Sequence, residues 1–118
     1  MIYLASPYTH EDPAVMEERF IRVENLTAAL LRRGNIVFSP IVHCHALAVK
    51  FDLPKDFSFW EKYCLQMLMR ATKLYVYTLP DWEKSRGVQS ELFFASKHGI
   101  DIFQIDDLSG GIQVQRCG

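Results

Sequence analysis

At 118 residues the chain is long enough for one domain with its own core, spanning 1–118, and short for two. Its 49% hydrophobic and 23% charged residues are the balance of a globular protein, and a formal net charge of -1 gives neither a basic footprint for a nucleic-acid polymer nor a polybasic membrane signal. No apolar run is long enough to span a bilayer, the opening Met1-Ile2-Tyr3-Leu4 lacks the charged start of a signal peptide, and the scattered Cys44, Cys64 and Cys117 suit a reducing compartment, so a cytoplasmic location is expected.

The first element expected is a short buried strand over residues 2–5, followed by the polar loop Ser6-Pro7-Tyr8-Thr9-His10. Asp12-Pro13 starts a helix, Asp as N-cap and Pro as first helical residue. Met16, Phe20, Val23 and Leu30 recur along one face of it, and Arg32-Arg33 with Gly34 form its stop. Residues 35–39 read as a second buried strand closed by Pro40. From Ile41 to Lys55 the pattern supports a short helix around 46–51, ended by Pro54. Asp56 is placed to cap a helix carrying Phe57, Trp60, Cys64, Leu68 and Ala71 on one face.

An apolar strand over 74–79 is expected to end at Pro80, which has no N–H to continue a ladder. After Pro80-Asp81-Trp82 a helix opens near Gly87 and runs to about Lys97, with Gly99 as its stop. A strand over 100–105 and a short one over 112–115 complete the chain. Strands alternating with amphipathic helices imply an α/β fold of βαβ units, with a mainly parallel four- to five-stranded sheet covered on both faces. Ligands of such sheets bind beyond the carboxyl ends of the strands. The loops there hold residues 6–9, 40–45 and 80–87, and with them most of the unusual polar side chains.

Within the last of these loops, Ser85-x-Gly87-x-x-x-Glu91 is the stretch with the most chemical content. Glu91 lies between Val88 and Ala95 on the apolar side of its helix, where a carboxylate is costly unless it is paired or lines a cavity. Spacing alone leaves equally open a Glu at the edge of the stripe with its head in solvent. Gly87 permits close backbone approach, and the free N–H groups of the first turn with the Ser85 hydroxyl suit an anion. A phosphate held there would sit roughly 5–10 Å from Glu91, the span from a nucleotide's 5′-phosphate to its anomeric carbon.

His43-Cys44-His45 invites a zinc reading. Two ligands one residue apart on an extended segment point to opposite faces, however, and no second pair follows, so no metal is expected. Each histidine suits contact with a base or phosphate, or an ordinary place in a loop. Tyr8 and Trp82 suit either stacking on a base or covering the core edge, whereas Trp60 reads as core. Arg86 suits phosphate or a solvated surface equally.

Three segments together resemble the nucleoside 2-deoxyribosyltransferase superfamily: Tyr3-Leu4-Ala5-Ser6-Pro7-Tyr8; Phe38-Ser39-Pro40-Ile41 with His43 and His45; and Leu79-Pro80-Asp81-Trp82 followed by Ser85-x-Gly87-Val88-x-x-Glu91. The similarity covers nearly the whole chain and is greatest to the small branch related to 2′-deoxynucleoside 5′-phosphate N-hydrolases. It implies a Rossmann-like, flavodoxin-type three-layer sandwich, a homodimer, and cleavage or exchange of the N-glycosidic bond of a deoxynucleoside or its monophosphate without metal or cofactor. It places Glu91 at the family's nucleophilic glutamate and Tyr3 at the tyrosine that holds it. Ser85 falls where the hydrolases bind phosphate and the transferases carry an aspartate for the sugar, which favours a nucleotide. Ser6, Tyr8, His43, His45, Asp81, Trp82 and Gly87 complete the expected substrate contacts.

One departure stands out. The family has an aspartate in the helix before the third strand, ahead of an Ala-Asp pair; here the pair is Ala71-Thr72 and the aspartate position holds Cys64. A thiol is a poor substitute for a carboxyl that protonates a leaving base. The second expectation is therefore a nucleotide-binding or sensor module of weak or no activity.

Overall fold

The computed structural model describes residues 1–108 and 110–117. Its strands β1 (Ile2–Ala5), β2 (Val37–Phe38), β3 (Lys73–Tyr77), β4 (Asp101–Asp106) and β5 (Gln113–Arg116) form one sheet in the order β2-β1-β3-β4-β5. The first four run parallel, and β5 pairs antiparallel with β4. Helices α1 (Pro13–Arg32), α2 (Pro40–Phe51), α3 (Phe57–Met69) and α4 (Arg86–Lys97) connect them.

β1 lies between two strands and is buried along its whole length, which accounts for its unbroken apolar sequence. Its side chains alternate between two cores. Tyr3 and Ala5 join Leu74 and Val76 of β3 beneath Cys64 and Leu68 of α3 and Val88 and Ala95 of α4. Leu4 joins Tyr77, Leu79 and Ile105 beneath Val23, Leu26 and Leu30 of α1. Helices thus cover both faces of a mixed, mostly parallel sheet.

Several boundaries differ from the sequence-based expectation. β2 is confined to Val37–Phe38, because its flanks are used by helices. The Asn35 N–H bonds the Leu30 carbonyl at 3.1 Å, and the Ser39 hydroxyl accepts the Val42 N–H at 3.2 Å. Ser39-Pro40 is therefore the N-cap and first residue of α2, which begins at Pro40 rather than near residue 46. β3 ends at Tyr77, ahead of Pro80, where the Leu79 N–H turns back to the Tyr77 carbonyl at 2.9 Å. Asp56 stands at the N-cap of α3, but its carboxylate takes the Ser58 hydroxyl instead of a backbone N–H, and Ala71 lies beyond the helix. No helix among the described residues is long and apolar enough to cross a membrane.

Candidate functional site

A cavity of about 380 Å³ opens where the β1–α1 loop, α2, α3 and the start of α4 meet. Ser6 and Tyr8 contribute from the loop, Cys44 and His45 from α2, Trp60 and Cys64 from α3, and Ser85, Gly87 and Glu91 from α4. Residues from four separate segments thus converge beyond the carboxyl end of β1.

At the floor of this cavity Glu91 is 3% exposed, and its carboxylate accepts a hydrogen bond from the Tyr3 hydroxyl. Spacing left Glu91 either inward or at the stripe's edge; the side chain is inward. Burial raises its carboxyl from the ordinary 4.5 to about 8, and the bond from Tyr3 offsets part of that rise. Tyr3 does not itself line the cavity; it stands behind Glu91 and is fully buried. Its phenol is held well above its usual range by burial and then by the neighbouring Glu91 and Cys64. A carboxylate in this setting is screened little by water. A positive centre forming beside it would both favour its ionisation and be strongly stabilised by it.

Cys64 is buried and faces the same cavity, so it occupies a site position as well as the α3 packing face. Burial, followed by the charge of Glu91, pushes its thiol up to about 12, leaving it neutral and a weak acid.

The start of α4 supplies an anion-binding geometry. Ser85 is its N-cap, accepting the Val88 N–H at 3.2 Å, which leaves its own O–H free to donate. Gly87 suits the packing, since a Cβ there would stand 3.0 Å from the Phe57 ring, closer than an ordinary contact. That close approach, to a side chain of α3, is what the glycine permits. Ser6 adds an independent sign: it is 6% exposed, faces the cavity, and its Oγ has no hydrogen-bond partner among the described residues. A buried hydroxyl left unpaired costs free energy that a bound polar group would recover. Lys55, Lys84 and Arg86 stand around the mouth as cations.

The two histidines separate. Both lie on a helix, not on the extended segment expected, and residues two apart on a helix are turned by about 200° from each other. His45 is buried in the cavity wall, between the Tyr8 hydroxyl at Nδ1 and a Glu17 carboxylate oxygen 3.0 Å from Nε2, with the Phe20 ring stacked 4.2 Å away. His43 faces outward and stacks on Tyr63 at 5.6 Å, apart from the cavity. Among the described residues no three His, Cys, Asp or Glu side chains gather as a metal site.

Asp81 and Trp82 lie in a second hollow of about 280 Å³ with Arg22, Tyr77 and Asp107. Trp82 packs against the core beneath α3 and α4, and Asp81 adopts a left-handed φ of 67° and pairs with Lys84 at 3.8 Å. Trp60, expected in the core, is half-buried in the cavity wall, its indole N–H bonded to the Pro54 carbonyl at 2.8 Å. Glu17 was not singled out from the sequence. Its one signal is its place three residues before Phe20, beside the apolar face of α1.

No curated protein matches the chain. A family model described as a domain of unknown function, DUF1937, matches residues 1–107, nearly the whole chain, including every residue of the cavity. The chain belongs to this DUF1937 family.

Proposed function

We propose that the protein cleaves the N-glycosidic bond of a deoxynucleoside 5′-monophosphate, with Glu91 attacking or stabilising the anomeric carbon. The observation that carries this reading is the buried Glu91 carboxyl, held by Tyr3, in a cavity whose wall also contains the capped N-terminus of α4 one turn away. Glu91 lies four residues after Gly87 on the helix, about 6 Å of rise, which suits a phosphate at one end and an anomeric carbon at the other. Glycosidic cleavage passes through an oxocarbenium-like state, and a desolvated carboxylate stabilises it by charge or by a covalent bond. The unpaired Ser6 hydroxyl and the Ser85 O–H suit the sugar-phosphate.

The resemblance to the nucleoside 2-deoxyribosyltransferase superfamily supports the same reading. So does the strand order 2-1-3-4-5, shared with flavodoxin-like sheets apart from the antiparallel last strand. The homodimer and the cytoplasmic location belong to this proposal too; light scattering is expected to give about twice the 13.7 kDa chain mass.

Cys64 favours a second reading, a nucleotide-binding module of little activity, because its thiol cannot serve as the acid that a departing base needs. Incubation with the four deoxynucleoside 5′-monophosphates and their nucleosides, followed by chromatography of free base, separates the two. Release from a monophosphate, absent in Glu91→Ala, supports the hydrolase. Thermal stabilisation by a nucleotide without release supports the binding module.

A further inference from the structure

The N-glycosidase reading leaves open which group protonates the departing base, since Cys64 holds its proton tightly and Asp56, also in the cavity lining, is kept towards its ionised form by the Ser58 hydroxyl. Elsewhere in the same cavity wall, three side chains from three segments form a continuous hydrogen-bonded chain. The Tyr8 hydroxyl meets His45 Nδ1, and His45 Nε2 meets a Glu17 carboxylate oxygen at 3.0 Å. Phe20 stacks on the imidazole and fixes its plane. The imidazole is 7% exposed, while the Glu17 side chain is 57% exposed. The chain therefore runs from bulk water, through a buried ring with both nitrogens engaged, to a hydroxyl facing the cavity. That is the layout of a proton relay.

We propose that Tyr8 is the general acid for the leaving base, with His45 and Glu17 as positioning residues that resupply its proton; this rests on the N-glycosidase reading. In the step, the bond between anomeric carbon and base nitrogen breaks and its electron pair stays with the base. The Tyr8 O–H proton passes to the base as the Tyr8 oxygen takes the Nδ1 proton of protonated His45. Glu91 meanwhile bonds to the anomeric carbon. Water then hydrolyses the glycosyl ester, restoring the Glu91 carboxylate and releasing the sugar phosphate and one proton, and His45 regains a proton from solvent beside Glu17.

Alone, Tyr8 is as weak an acid as Cys64, because burial and then the charges of Glu17 and Cys44 push its phenol up to about 12. The relay removes that handicap, since the net proton is lost by an imidazolium facing a carboxylate and no phenolate accumulates. The partners of Cys64 are the fully buried Tyr3 phenol and, through it, Glu91, which offer no comparable path to bulk water.

The test compares two leaving groups on one sugar: the deoxynucleoside 5′-monophosphate with the fastest base release, and the same deoxyribose 5-phosphate carrying 4-nitrophenol, which departs as an anion without a proton. Tyr8→Phe and His45→Gln are expected to lower the ratio of nucleotide to aryl turnover by about 100-fold, the ordinary worth of a general acid. Glu17→Gln, at an exposed position where the amide oxygen still accepts from His45 Nε2, is expected to lower it about 10-fold. Equal losses on both substrates, or no change in the ratio, would overturn the relay and leave these residues structural. Wild-type protein that releases nitrophenol but no base also overturns it while sparing Glu91 as nucleophile. Release of neither overturns the N-glycosidase reading and the relay with it.

Discussion

Glu91 ionises under two opposing influences, burial raising its carboxyl to about 8 and the Tyr3 hydroxyl lowering it from where burial alone would put it. Folding therefore keeps on this carboxyl a proton that the unfolded chain releases near 4.5. Between those values the unfolded state binds fewer protons, so the contribution of Glu91 to stability falls as pH rises, and the loss is complete above about 8. Glu91→Gln cannot ionise, and is expected to melt above wild type at about pH 9 while differing little below about pH 4.5. Scanning calorimetry at the two pH values checks this. Ser6 gives a prediction of opposite signs for stability and binding. Ser6→Ala removes an unpaired buried hydroxyl and should stabilise the free protein by about 1 kcal/mol, read in thermal denaturation, while weakening nucleotide binding in titration calorimetry. At this scale the inward direction of Glu91 was readable as one of two options from its spacing. Its bond to Tyr3 was expected from the family resemblance alone, because no local pattern joins residues 88 positions apart.

Individual elements show why some sequence signals misled. Ser-Pro reads as a strand terminator or as an N-cap followed by a first helical residue, and local sequence does not choose between them. Here the helix wins, since the Ser39 hydroxyl caps α2, and the change brings His45 into the cavity and turns His43 out. Ser85 fills the same capping role for α4, so its hydroxyl serves fold and site together. Ser85→Ala is expected to cost about 1 kcal/mol of stability through the lost cap, measured by urea denaturation, and to weaken phosphate binding beyond that. Asn from the capping series would restore the stability without the hydroxyl, which separates the two roles.

For the molecule as a whole, the α/β alternation was legible because β1 to β4 each centre on apolar residues and each helix carries an apolar stripe, whereas β5 (Gln113–Arg116) is mostly polar and exposed. The direction of β5 was not stated, yet the physics is simple. Only 107–112 separate β4 from β5, too few for a parallel crossover, so the chain must turn back antiparallel. The cavity was legible in outline, as loops at one end of the sheet, and its membership was less so. Asp81 and Trp82 fall into a second hollow because β3 ends at Tyr77 and the turn carries them towards β4. Cys64 and Trp60 enter the wall because the α3 face that meets the core also borders the opening.

The central claim is that an ionised Glu91, tuned by Tyr3, acts on the anomeric carbon. It is tested most directly by nitrophenol release from the 4-nitrophenyl deoxyribose 5-phosphate, which needs no acid, as a function of pH in wild type, Tyr3→Phe and Glu91→Gln. The account predicts a wild-type kcat/KM that rises with pH through an ionisation near 8, the same limb moved to higher pH in Tyr3→Phe, and no release from a folded Glu91→Gln. Nitrophenol release by Glu91→Gln at the wild-type rate, or a limb that Tyr3→Phe leaves in place, would contradict it.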